Sequence, residues 1–145
     1  MQLRPVSFEN ETGIRYGFQL ETSDEKPRFW CILVARFAGN YRSGHHGAPD
    51  ARFIQGITQT ALGVWCPAAL ILDLRELAYT WGDEMEEVLG TRGEIKVPTV
   101  VVGSETCLPA IGTLIHGINS TKPATDAEHI FDNMDAAWEY VHQRA

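Results

Sequence analysis

The hydrophobic pattern is most informative between Ala68 and Gly90, where a continuous apolar run passes through a polar turn into a short acidic segment. Residues 69–74 are apolar at every position except Asp73, which is typical of a central strand covered on both faces. From residue 85 to residue 89, apolar side chains recur at helical spacing, and the acidic side chains between them point elsewhere. The pattern therefore predicts a buried strand, a turn and a short acidic helix.

The amino-terminal region shows the two-residue period of strands. Apolar and polar residues alternate around residues 6–8, residues 10–13 are rich in turn formers, and strict alternation resumes from 14 to 21. We therefore expect an antiparallel β-hairpin over residues 1–22 with one face in water. A third, buried strand is expected from Phe29 to Phe37, because this run is apolar nearly throughout.

After a glycine-rich loop at residues 39–49, helical and strand periods alternate to the carboxyl terminus. A helix is predicted from Asp50, as its cap, to Trp65, with Ile57 facing the sheet and Gln59 outside the apolar stripe. The elements predicted after the acidic helix are a glycine-containing linker at 90–93, a strand at 97–102, a helix with the stripe Ile111, Leu114, Ile115 and Ile118, an edge strand at Ile130 and Phe131, and a terminal helix with the stripe Met134, Ala137, Trp138 and Val141.

The predicted order of elements is βββαβαβαβα. Strands that alternate with helices run parallel and are joined by right-handed crossovers. The fold class expected is a single α/β domain with a mixed, mostly parallel β-sheet, an amino-terminal antiparallel hairpin and about four helices. Residues 29–145 would form the α/β core.

Composition and charge narrow the class of protein. The chain has 145 residues and 44% hydrophobic content, enough for one core. No run approaches the roughly 20 apolar residues of a membrane span, and the amino terminus lacks the apolar segment of a secretory signal, so we expect a soluble cytoplasmic protein. A formal net charge of −7 argues against binding to nucleic acid, which needs a cationic face, and permits a basic protein partner.

No cluster of residues predicts a catalytic, cofactor or metal site. The three cysteines are odd in number and widely spaced, which indicates buried reduced thiols. The adjacent histidines of the 39–49 loop offer too few ligands for a metal. Asp73 is more simply read as a buried carboxylate paired with Arg75 than as a general base, because buried charges are normally paired.

The candidate site is the turn and acidic helix that follow the central strand. In open α/β sheets, ligands and partners bind at the carboxyl ends of the strands. Trp81 adjoins the acidic run, and tryptophan is enriched at interface hot spots, although such a run is also typical of a merely solvated surface. The residues predicted to bind a partner protein are Tyr79, Thr80, Trp81, Asp83, Glu84, Glu86 and Glu87.

The motifs ALILDLRELAYTWGDEM, VPTVVVGS and HIFDNMDAAWEYV resemble the STAS fold of anti-sigma-factor antagonists over residues 29–145. In that family a strand of LILDL type runs into the partner-binding loop, and a late short strand precedes an alanine-containing final helix. The resemblance implies a regulator that binds a protein. Where the family has a phosphorylatable serine in an Asp-Ser-Ser-Gly-like turn, this chain has Thr80-Trp81-Gly82-Asp83, and Thr80 is the only hydroxyl there.

A weaker resemblance is to the crotonase fold, carried by Trp81-Gly82-Asp83 and by Val97-Pro98-Thr99-Val100 with Gly103. It implies an oxyanion hole of two backbone N–H groups, near Gly82 and near Leu108. The chain is about half the length of such an enzyme and lacks its glycine-rich helix start.

Two function hypotheses follow from the sequence. The first is a non-enzymatic protein–protein interaction module that binds and regulates or neutralises a partner protein. It covers both a STAS-like regulator and an immunity protein that blocks a basic toxin, and the missing serine favours the latter. The alternative is a small crotonase-like acyl-CoA-binding enzyme.

Overall fold

The structure, a computed structural model, describes residues 1–22, 25–90 and 93–144. Its strands are β1 (Arg15–Leu20), β2 (Ile32–Asn40), β3 (Ala69–Ala78), β4 (Thr99–Val102) and β5 (Ile130–Phe131). Its α-helices are α1 (Phe8–Glu11), α2 (Ala48–Trp65), α3 (Met85–Leu89), α4 (Leu108–His116) and α5 (Met134–His142). The middle of the predicted 90–93 linker lies outside the described residues.

The five strands form one sheet in the order β1-β2-β3-β4-β5. β1 is antiparallel to β2, and every other neighbouring pair is parallel. Parallel neighbours need a crossover connection, and here α2, α3 and α4 each connect one strand to the next. A single α/β domain with a mixed, mostly parallel sheet is thereby confirmed, and the carboxyl ends of β2, β3 and β4 meet at one edge of the sheet.

Helices cover both faces of the sheet, but unequally. One hydrophobic layer lies between the sheet and α2, α3 and α4, and a smaller layer lies between the sheet and α5. β3 contributes to both layers, since Leu70 and Leu72 belong to the first and Ala69 and Ile71 to the second. This explains why the strand is apolar at successive positions rather than alternating.

The antiparallel pair at the amino-terminal end is built from different segments than the sequence predicted. Residues 8–11 form α1 instead of a strand, and β1 pairs with β2 over six positions. An isolated two-stranded hairpin is marginal in water, whereas β1 gains a neighbour that is already buried. The start predicted for the next strand is also wrong, because Phe29 and Trp30 lie in a 3-10 turn before β2 and are more than half exposed.

Helix α2 buries only part of the stripe predicted from its apolar residues, which are Phe53, Ile54, Ile57, Ala61, Val64 and Trp65. Ile54 is fully buried, but Ile57 is only half-buried and Val64 is 58% exposed. The face toward the sheet includes the polar Thr58. A stripe defined by apolar residues alone therefore differs in direction from the face that is buried. Asp50 is not the cap either, because α2 begins at Ala48 and Asp50 is buried in its first turn.

Helix α4 and the cysteines show two further differences. α4 ends at His116, so Ile118 lies beyond it and is 86% exposed, and Ile115 is 38% exposed. Cys66 is exposed, whereas the other two cysteines are buried as predicted. None of the described helices is long and apolar enough to cross a membrane.

Replacing Gln59 by alanine is expected to lower the unfolding free energy by about 1–2 kcal/mol, as for two modest hydrogen bonds. The Gln59 amide donates to the Ile95 carbonyl and accepts from the Ile95 N–H, both at 3.0 Å, so it holds the segment before β4 against α2. Urea denaturation measures the change. Gln55→Ala is the matched control, since Gln55 has no hydrogen-bond partner within the described part of the chain. Equal midpoints for the two variants would show that the Gln59 contact contributes nothing.

Candidate protein-binding site

Three loops meet at the carboxyl edge of the parallel strands: residues 41–47 after β2, 79–84 after β3 and 103–107 after β4. Backbone hydrogen bonds join them. The Gly44 N–H donates to the Trp81 carbonyl at 3.1 Å, and the Tyr79 N–H donates to the Thr106 carbonyl at 3.0 Å. The predicted site is therefore a connected surface of three loops rather than one isolated turn.

Trp81 is the prominent side chain of this surface, with 63% of it exposed. Its ring lies against Gly44, where an added Cβ would come within 2.7 Å of Trp81 Cη2. Gly44 also has a positive φ of 64°, a conformation that glycine adopts at low cost. Glycine at position 44 thus lets the tryptophan ring rest on the neighbouring loop while its outer face stays in water.

Tyr79 supports this loop from below and is not part of its outer surface. Only 2% of the residue is exposed, so Tyr79 offers almost no surface to a partner, and it is left out of the contact surface proposed below. Its hydroxyl donates to the Gly82 carbonyl at 2.8 Å, and its ring packs edge-on against Tyr41 at 5.0 Å. Burial, with the nearby charges of Asp83 and Glu84, raises the pKa of Tyr79 to about 12, so the hydroxyl stays protonated at neutral pH.

The acidic residues lie on the outer side of α3. That helix buries its three apolar side chains and leaves Glu86 and Glu87 exposed, and in the turn before it Asp83 is exposed and Glu84 is half-buried. Within the described part of the chain, no cationic side chain forms an ion pair with Asp83, Glu84 or Glu86. Their charges are therefore available to a ligand in solution.

Thr80 is exposed, and its hydroxyl lies 2.9 Å from that of Ser43. Either hydroxyl can donate, so the pair is a polar link between the first and second loops. Ser43 is not found from the sequence, because it lies 37 positions from Thr80 in a loop with no periodic signal. Ser43 therefore joins the candidate site.

A buried ionic cluster anchors the first loop. Asp50 is fully buried and accepts hydrogen bonds from the Thr12 hydroxyl at 2.6 Å, from the Arg42 N–H at 2.8 Å and from the Arg42 guanidinium at 2.9 and 3.1 Å. Burial alone would raise the pKa of Asp50, but the hydrogen bonds from Arg42 and Thr12 outweigh it and lower the pKa. The cluster ties α1, the 41–47 loop and α2 together.

Asp73 forms the structural pair that the sequence favoured. Arg75 donates from Nε to Oδ1 at 2.9 Å and from Nη2 to Oδ2 at 2.8 Å. Burial opposes ionisation, yet these hydrogen bonds and the nearby Arg36 lower the pKa of Asp73. A carboxylate held in this way is a weak base.

The adjacent histidines of the first loop stack on each other with ring centroids 4.1 Å apart. His45 and His46 are both exposed. Among the described residues, no group of three or more His, Cys, Asp or Glu side chains is arranged to hold a metal ion.

The position implied for an oxyanion hole lacks the necessary pair of free donors. The Leu108 N–H already donates to the Ser104 carbonyl at 2.8 Å, in the turn that starts α4. Leu108 and Cys107 also fill the space over Gly103, where an added Cβ would meet the Leu108 side chain at 2.6 Å. The geometry therefore gives no support to the acyl-CoA alternative.

Comparison with known proteins gives a likeness of fold. No protein-family model matches the chain, and no curated protein matches it. A solved structure described as an anti-sigma factor antagonist from Mycobacterium paratuberculosis is similar, with 17% sequence identity and a TM-score of 0.49, and the match covers 88% of this chain and 94% of that one. At this identity and TM-score the match is reported as a likeness only, and no role of that protein is transferred to this chain.

Proposed function

We propose that the protein is an acidic binding module that regulates or neutralises a basic partner protein. The surface proposed for contact is defined by Ser43, Thr80, Trp81, Asp83, Glu84, Glu86 and Glu87, and is called the acidic face below. The observation that carries the proposal is the exposed Trp81 ring, held on Gly44 directly beside the acidic side chains.

The acidic face combines two features that act at different stages of binding. Exposed carboxylates attract a cationic surface and raise the rate of encounter. An aromatic side chain buried on contact slows dissociation, and a ring already held in place loses little rotational freedom when it binds. Trp81 and the acidic residues both follow β3, the central strand that ends at this edge of the sheet.

Two kinds of partner fit this chemistry. One is a basic toxin, in which case the protein is an immunity protein, and the other is a regulatory protein of the kind that STAS-like modules bind. The absence of serine from the turn at residues 80–83 favours the toxin. Gene neighbourhood separates the two, because an adjacent toxin gene supports the first and adjacent kinase and sigma-factor genes support the second.

Replacing Trp81 by alanine is expected to accelerate dissociation by about thirtyfold, equivalent to roughly 2 kcal/mol for a hot-spot residue. The partner is first captured from the source cell and identified, and surface plasmon resonance then measures both rate constants. Trp30→Ala is the matched control, since Trp30 is 59% exposed but precedes β2 and so lies at the opposite edge of the sheet. An unchanged dissociation rate for Trp81→Ala would place the contact elsewhere.

The same experiment tests the charges separately. Reversing Glu84, Glu86 and Glu87 to lysine should slow association and weaken its dependence on salt, because screening acts on the attraction that these residues supply. A control variant with Glu9, Glu94 and Glu139 reversed has the same net charge but changes exposed sites outside the acidic face. Equal association rates for the two variants would mean that total charge, rather than this face, steers the partner.

A further inference from the structure

β1 is an edge strand with an open outer side. It pairs with β2 from Arg15 to Leu20, and it is the first strand of the sheet order. Within the described part of the chain, no backbone hydrogen bond reaches the outer side of β1, and residues 1–7 are all exposed rather than packed across it. The strand thus presents a row of unpaired backbone groups.

The usual protections of an edge strand are scarce here. Natural edges are blunted by lysine, proline, bulges or inward-pointing charges. β1 has the sequence RYGFQL, with one charged residue, no proline and no break in its register with β2. Its two faces also differ. Tyr16 and Phe18 lie toward α2, where they contact Phe53 at 5.6 Å and Trp65 at 5.4 Å, and the alternate residues lie on the face that α5 leaves bare.

Two features beside this edge suit a second copy of the chain. On the α2 face, Phe8 is 63% exposed and packs on Phe53 at 5.5 Å, so an aromatic surface adjoins Tyr16. On the opposite face, an open cavity of about 380 Å³ has β1 and β2 residues in its lining, including Gly17. Apolar surface thus adjoins the edge strand on one face of the sheet, and the other face beside it is open.

We propose that two copies of the chain pair through β1, antiparallel across a twofold axis, so that the two sheets become continuous. Residues that lie opposite each other have their side chains on the same face of the joined sheet. Because side chains alternate between faces along a strand, the two residue numbers must both be odd or both be even. With Gly17 opposite Gly17 of the second copy, Tyr16 faces Phe18 and Arg15 faces Gln19. Aromatic pairs of this kind stabilise antiparallel strands, and the glutamine carbonyl accepts from the guanidinium.

Charge also favours this register. Arg15 is exposed and has no ion-pair partner among residues 1–22, 25–90 and 93–144. No like charges face each other across the pair, and α3 with its acidic residues follows β3 at the carboxyl edge rather than extending from β1. At physiological salt the Debye length is about 8 Å, so the net negative charge of each copy opposes association only weakly.

Sedimentation velocity of the full chain over a range of concentrations tests the proposal. The chain should show a reversible monomer–dimer equilibrium. Gln19→Glu should lower the dimer dissociation constant and Gln19→Arg should raise it, each by about two- to thirtyfold. The change is this large because the pair of residues 15 and 19 occurs twice in a twofold dimer. Gln143→Glu and Gln143→Arg are matched controls at an exposed site after α5, and they should leave the constant nearly unchanged.

The double variant Arg15→Glu with Gln19→Arg restores the opposite charges in reverse and should dimerise at least as well as the wild type. Circular dichroism checks that each variant is folded, which is expected because both side chains are exposed. A chain that stays monomeric at all concentrations up to about 1 mM, far above the range of specific complexes, would overturn the proposal. So would a dimer whose dissociation constant is the same in both Gln19 variants.

Discussion

Replacing Asp50 by alanine is expected to lower the unfolding free energy by about 3–5 kcal/mol, the range for removing one partner of a buried ion pair. The carboxylate is fully buried and accepts four hydrogen bonds, so its loss leaves the Thr12 hydroxyl and the Arg42 backbone N–H without their acceptor. The Arg42 side chain is 46% exposed and can return to water, which keeps the cost within this range. Urea denaturation at pH 7 measures the change.

Asp83→Ala is the matched control, since the same side chain is removed from an exposed position. Its expected cost is below about 0.5 kcal/mol, as for ordinary surface substitutions. Similar midpoints for the two variants would show that the buried cluster contributes no stability.

The pH dependence of stability gives an independent check on the same residue. The pKa of Asp50 is lowered in the folded chain, so its contribution is fully present above its unfolded pKa of about 3.9 and is lost as the pH falls through the folded value. Asp50→Asn cannot make this contribution. The stability of the Asp50→Asn variant should therefore fall less steeply than that of the wild type below about pH 4. Asp73, whose pKa is also lowered, contributes equally to the pH dependence of both proteins.

The Asp50 cluster also links stability to the proposed function. Arg42 belongs to the loop that contains Gly44, and the Trp81 ring rests on Gly44. Any change that frees this loop removes the support of the ring, so Asp50→Asn should weaken partner binding even where the chain remains folded.

The sequence predicted Asp50 as the helix cap because an acidic residue is usual at that position. The buried role depends on Thr12, 38 residues away, and no local pattern reports it.

The parts of the fold that follow from the sequence are those set by local periodicity. The strand from Ala69 and the helix at 85–89 each have the period of their own element, and both are present. The first strand predicted for the amino-terminal hairpin is absent for the converse reason. Alternation identifies β1 as a strand, but its partner is chosen by tertiary burial, and the pattern at residues 6–8 carries no information about that choice.

In the candidate site, too, some features follow from the local sequence and others depend on tertiary contacts. The exposure of Asp83, Glu86 and Glu87 is predictable, because charged residues rarely become buried without a partner. The burial of Tyr79 is not predictable in this way, because a tyrosine has an apolar ring and a polar tip and suits either environment. Its burial is decided by the ring of Tyr41 and the carbonyl of Gly82, which the fold brings together from two different loops.

The buried face of α2 gives the second large expected effect. Ile54→Ala should lower the unfolding free energy by about 2–5 kcal/mol, the range for removing a large aliphatic side chain from a core. Ile54 is fully buried in the layer between the sheet and α2, and close-packed surroundings cannot collapse completely into the space that it leaves.

Ile57→Ala is the matched control, because the same atoms are removed from the same helix one turn further along. Ile57 is only half-buried against this layer, so water fills part of the space and the expected cost is about 1 kcal/mol, as for a partial loss of apolar burial. Chemical denaturation of both variants gives the two values. A cost for Ile57→Ala equal to or above that of Ile54→Ala would mean that Ile57 packs against the sheet at least as fully as Ile54, as the apolar stripe predicted.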